Sequence, residues 1–75
     1  MREMGRLIVS SETGYGKFTN KNGDEFVVLR TDGYYSLGVY RKGGFLSWVK
    51  EDVKRISTIQ KFVEEREYGF KIEVI

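Results

Sequence analysis

EFVVLRTDGYYSLGVY occupies residues 25 to 40, and its reading decides the fold. Asp32-Gly33 supplies the positive φ that a two-residue hairpin turn demands. With that turn Thr31 faces Tyr34, Val28 faces Leu37 and Phe26 faces Val39. Residues opposite one another share a face of the sheet, so Phe26, Val28, Tyr35, Leu37 and Val39 gather on one side. Glu25, Val27, Leu29, Tyr34, Ser36, Gly38 and Tyr40 gather on the other. The first set is the more uniformly apolar and is expected to face the core.

Working outward, Gly43-Gly44 reads as a second two-residue turn. It places Trp48 opposite Val39 and Leu46 opposite Arg41, so both apolar residues are expected on the core face. Upstream, Asn22-Gly23 marks a third turn. A two-residue loop there would put Lys17 on the core face. A three-residue loop with a bulge at Gly23 puts Phe18 opposite Phe26 and turns Lys17 outward, and is the preferred register.

After Trp48 the period changes. Val49, Val53 and Ile56 form one helical stripe, and Ile59, Phe62 and Val63 another, rotated from the first. Ser57-Thr58-Ile59-Gln60 has the pattern of a capping box. These signals predict a short turn over 50 to 55, then a helix from about 58 to 67 ended by Gly69; one unbroken helix from 50 to 67 is the alternative. FKIEVI at the C-terminus alternates, with Phe70, Ile72 and Val74 inward from a closing strand. RLIV, residues 6 to 9, is a first strand of unknown partner.

Together these elements predict a mostly β (α+β) fold in a single domain over residues 1 to 75. It is a small antiparallel β-meander of five or six strands curled around Trp48 into an SH3-like or OB-like partial barrel, with one short helix near the C-terminus. The SH3-like element rests on GGFLSWVKEDVKRI, which resembles the end of such a barrel and says little about function.

Composition removes whole classes of chemistry. The chain has no cysteine and no histidine, which excludes disulfides, thiolate metal sites, cysteine nucleophiles and a Ser-His-Asp triad. No metal and no cofactor are expected. Neither GYYSLG nor RKGGF has the strand, loop and Lys-Ser/Thr order of a phosphate cradle. No catalytic residue is assigned, and the chain is read as a non-enzyme. No apolar stretch approaches the roughly 20 residues of a membrane span, so a cytoplasmic protein with no membrane contact is expected. Net charge is +2, with the basic excess between Arg30 and Arg55 and an acidic lean from Lys61 to Glu73. That polarity is milder than the basic stripe of a dedicated nucleic-acid binder.

The segment TGYGKFTNKNGDEFVV, residues 13 to 28, resembles cold-shock domains through Gly14, Tyr15, Gly16, Phe18, Gly23, Asp24 and Val27. In that family such strands present aromatics to single-stranded nucleic acid. The chain departs from the pattern at Lys17, where the family has its next aromatic, and RLIVS lacks the aromatic residues that would complete the platform.

The candidate binding residues are Tyr15, Lys17, Tyr34, Tyr40, Arg41 and Lys42. Outward tyrosines beside Lys or Arg suit protein interfaces, where Tyr and Arg are enriched at hot spots. They also suit base stacking with phosphate contact. A third arrangement buries the same face under the helix, making Val27, Leu29 and Tyr40 a second core layer. The leading expectation is a small module acting through contacts with a protein partner whose identity is unknown. Regulators or inhibitors of viral or mobile-element type have this character. Single-stranded nucleic-acid binding is the alternative. A monomer or a strand-paired homodimer is expected, with the first strand and FKIEVI as the edge candidates.

Overall fold

The computed structural model describes residues 4–42 and 44–75. Six strands and one helix follow in the order β1 (Gly5–Val9), β2 (Gly16–Thr19), β3 (Glu25–Thr31), β4 (Tyr34–Tyr40), β5 (Leu46–Val53), α1 (Ile56–Glu65) and β6 (Phe70–Val74). The protein is mostly β with one short helix. Its strands form two sheets: an antiparallel meander ordered β2-β3-β4-β5, and a parallel pair of β1 with β6. The single curled sheet expected from the sequence is therefore divided, and no barrel closes.

The central hairpin has the expected register, with Phe26 opposite Val39, Val28 opposite Leu37 and Thr31 opposite Tyr34. Asp32 and Gly33 take φ of 54° and 82°, the left-handed pair that matches strand twist. The β2–β3 turn takes the bulged form. Gly23 has φ 85°, Phe18 lies opposite Phe26, and Lys17 opposite Val27. The Asn20 side-chain oxygen accepts the N–H groups of Asn22 (2.9 Å) and Asp24 (3.0 Å), which holds the loop.

The β4–β5 connection departs from expectation. Gly43 lies outside the described residues, and Gly44 donates its N–H to the Arg41 carbonyl at 2.7 Å. The strands re-enter register with Tyr40 opposite Leu46 and Gly38 opposite Trp48, one residue away from a two-residue turn. A slip of one residue reverses every side chain. Trp48 therefore leaves the core face and is 43% exposed.

Two register shifts between Tyr35 and Gly38 carry β5 on to Val53, with Asp52 at φ 55° and its N–H donated to the Ser36 hydroxyl. Residues 50 to 53, expected in a turn, are strand. Val49 and Val53 both pack on the core, four residues apart, a separation that a strand face shares with a helical turn. The helix starts at Ile56 rather than 58, with Arg55 as N-cap and no side-chain cap bond, so the Ser57 capping box is not formed. Its core stripe is Ile56, Ile59 and Val63. The helix stops at Glu65 through a Schellman closure, not at Gly69. Tyr68 N–H reaches the Val63 carbonyl at 3.3 Å, Glu67 N–H reaches the Glu64 carbonyl at 3.2 Å, and Glu67 takes φ 53°.

The core lies between the inner face of the meander and a second layer of β1, β6 and α1. Phe26, Val28, Leu37 and Val39 from the first meet Leu7, Val9, Ile59, Val63, Phe70 and Ile72 from the second. Ring centroids of Phe26 and Phe70 are 4.8 Å apart, and those of Phe18 and Phe70 5.2 Å. Val74, expected inward, is 41% exposed at the end of β6, although its register partner Val9 is buried. Each edge candidate is paired on one side, β1 with β6, and Gln60 of α1 donates its side-chain N–H to the Ile72 carbonyl of β6 at 2.9 Å.

Candidate functional site

The helix packs on the core side of the meander, since Ile59 and Val63 share a cluster with Phe26, Val28, Leu37 and Val39. The opposite face carries no helix, so the arrangement with α1 as a lid over Val27, Leu29 and Tyr40 is excluded. Two rows of residues cross that outer face in register. One runs Lys17, Val27, Gly38, Trp48; the next runs Thr19, Glu25, Tyr40, Leu46.

Gly38 organises the first row. A Cβ placed there would stand 2.8 Å from Leu46 Cδ1 and 3.0 Å from Trp48 Cε3. The indole and the leucine therefore lie down over bare backbone, a seat that any side chain at 38 would lift. Beside that seat, Val27 is only 4% exposed although it belongs to the outer face and not to the main core. The result is a small apolar patch of Val27, Leu46, Trp48 and Tyr40 with its two largest rings, Trp48 and Tyr40, left accessible. Phe45, immediately before β5 and by alternation on the face opposite Leu46, is 92% exposed.

The rim is charged but balanced. Lys17 Nζ is 3.7 Å from Glu25 Oε2, and Arg41 Nη1 is 3.4 Å from Asp24 Oδ2. Pairs this exposed contribute little to stability. Their effect here is that two cations beside the patch already face carboxylates.

Of the expected site residues, Lys17, Tyr40 and Arg41 lie around this patch, and Lys42 is exposed in the adjoining turn. Tyr34 shares their sheet but stands at the other end of β4, roughly 20 Å along the strand from Tyr40. Tyr15 precedes β2 and is 44% exposed. Trp48, Leu46 and Phe45 were not among the expected site residues. The two-residue turn at Gly43-Gly44 directs Trp48 and Leu46 to the core face, and Phe45 received no assignment from it.

The glycines around Tyr15 have structural reasons. Gly14 takes φ 73° against the Arg30 side chain, and a Cβ on Gly16 would fall 2.1 Å from the Ile8 carbonyl oxygen. They let β1 cross closely over β2. Elsewhere, a shallow hollow of about 400 Å³ lies between the end of α1 and β6, lined by Met4, Val63, Glu64, Glu67, Gly69, Phe70 and Lys71. Among the described residues no cluster of acidic side chains is arranged to hold a metal ion, and no helix is long and apolar enough to cross a membrane.

No family model, curated protein or solved structure matches the chain.

Proposed function

We propose that the protein is a non-enzymatic binding module that docks on a partner protein through the outer face of the β2–β5 meander. The observation that carries this reading is the pair of accessible rings, Trp48 lying over Gly38 and Tyr40 beside it, with Lys17 and Arg41 at the rim each paired to a carboxylate. Aromatic side chains held on a rigid sheet lose little freedom on binding, and such residues dominate interface energies. A role as regulator or inhibitor accords with a chain that presents one adhesive face on a small core.

The competing reading is single-stranded nucleic-acid binding by tyrosines with Lys and Arg. It has less support, because Lys17 and Arg41 meet carboxylates before any phosphate. Phosphate recognition depends on cations free to replace condensed counterions. As a proposal about fold, the meander fits an open SH3-like or OB-like partial barrel, a likeness that carries no functional argument.

The test is a comparison of wild type with Tyr40→Ala, Trp48→Ala and Tyr34→Ala in affinity purification from the cells that express the protein. Unfolding by urea is measured on each variant. A hot-spot truncation weakens binding by about 2 kcal/mol or more. The expected result is a specific partner lost with Tyr40→Ala and Trp48→Ala but kept with Tyr34→Ala, all three remaining folded. Retention by all three variants refutes the site. Steep salt-dependent binding of labelled single-stranded DNA or RNA would favour the competing reading.

A further inference from the structure

The last strand of the meander, β5, has no neighbour on its outer edge among the described residues. Proteins guard such edges with bulges and charges. On β5 the guard covers only the second half, where the register shifts fall and where Lys50, Glu51 and the left-handed Asp52 follow one another. The first half, Leu46 to Trp48, keeps one regular register against β4 and ends beside Phe45, 92% exposed.

We propose that this open half-edge pairs antiparallel with the same segment of a second copy, about a twofold axis at Ser47. In an isologous pairing each residue meets the one equidistant from the axis on the other copy. With the axis at Ser47, Leu46 meets Trp48 on the outer face and Phe45 meets Val49 on the inner one. Both pairs join apolar side chains, and all four residues precede the charged stretch that starts at Lys50. Neighbouring axes are worse. An axis at Leu46 sets Trp48 against Gly44, which lies outside the strand, and one at Trp48 runs Leu46 and Phe45 into the register shift that follows Trp48. Axes between residues are excluded because they would oppose an outward side chain to an inward one.

The dimer joins two meanders into one continuous sheet. The outer patches of Tyr40, Leu46 and Trp48 become neighbours, and the bare ring of Phe45 gains a partner. The pairing uses the strand edge, whereas the partner-docking reading uses the sheet face, so each can fail alone.

The chain lacks cysteine, which makes the test clean. Directly opposed residues in an antiparallel pair have Cα atoms about 4.5 or 5.5 Å apart, within the span of a disulfide. Ser47→Cys is nearly isosteric and preserves the fold; Thr19→Cys, exposed on β2, serves as control. Sedimentation equilibrium of the wild type should give a mass rising with concentration toward twice 8.8 kDa. Under mild oxidation Ser47→Cys should cross-link more than ~10-fold faster than Thr19→Cys, because pairing raises the effective thiol concentration. Ser47→Lys should be monomeric and folded, and mixing it with Ser47→Asp should restore the dimer mass. Wild type that stays monomeric up to about 1 mM, where effective concentrations of linked sites lie, overturns the proposal. So does a dimer in which Ser47→Cys cross-links no faster than the control.

Discussion

Gly16→Ala is the substitution to which this fold should be most sensitive. A Cβ at residue 16 would lie 2.1 Å from the Ile8 carbonyl oxygen, 2.8 Å from its carbonyl carbon and 2.9 Å from Leu7 Cδ2. Ordinary C···O contacts close at about 3.3 Å, so the two strands must separate by roughly 1 Å. The obstacle is backbone, which has no rotamer to escape into. Overpacking typically costs about 1–3 kcal/mol, and a backbone clash belongs at the upper end. Separation also strains the nearby bond from Ser10 N–H to the Tyr15 carbonyl, 3.1 Å long, which contributes about 1 kcal/mol. A loss of about 3 kcal/mol is most of what a domain this small possesses. Urea unfolding, followed by the single tryptophan and by far-UV circular dichroism, reads the change. With a slope near 1 kcal/mol/M the midpoint should fall by about 3 M. Gly23→Ala is the contrast. It has φ 85° and no atom within 4 Å of the new Cβ, so only backbone strain acts, about 1 kcal/mol. A Gly16→Ala variant at least as stable as Gly23→Ala would refute the claim that β1 rests on β2 through that glycine.

Three further outcomes are expected. Glu67→Gly should raise stability by about 0.5–1 kcal/mol in the same urea assay, because Glu67 holds the left-handed position of the Schellman closure at φ 53°; Glu67→Ala should bring no gain. Gln60→Leu should lower stability by about 1 kcal/mol, since it leaves the Ile72 carbonyl without its 2.9 Å donor, and hydrogen exchange should quicken in β6 before it does in β3. The lone Trp48, 43% exposed, should be quenched by iodide or acrylamide in the native protein, and Gly38→Val should increase that quenching by lifting the ring off its seat.

Much of the fold was legible because turn chemistry is local. Asp32-Gly33 states both loop length and backbone handedness, so the inner face of Phe26, Val28, Leu37 and Val39 follows by alternation, and the choice of the bulged Asn22-Gly23 loop that buries Phe18 adds that ring to it. What was not legible depends on contacts between distant residues. Nothing near RLIV or FKIEVI announces that the first and last strands run parallel, because that pairing is decided by how both cover the inner face of the meander. The second half of β5 was hidden for a different reason. Val49 and Val53 stand four residues apart, a separation that one face of a strand and one turn of a helix share, so a period count alone does not tell them apart.

The candidate site shows how one residue of register decides function. Read with a two-residue turn at Gly43-Gly44, Trp48 is a core residue and the outer face is a scatter of tyrosines. Shift the strand by one and the same tryptophan stands on the surface, while Val27 on that face sinks to 4% exposure. Gly38 carried a cue to the correct choice. A glycine in a central strand weakens the sheet unless something lies against it, and the cross-strand neighbour that benefits from the gap is a large flat ring. Placing Trp48 opposite Val39 left Gly38 without such a neighbour, and placing it opposite Gly38 supplies one. The glycine that softens β4 is thus the feature that builds the patch, and its substitution should damage binding more than stability.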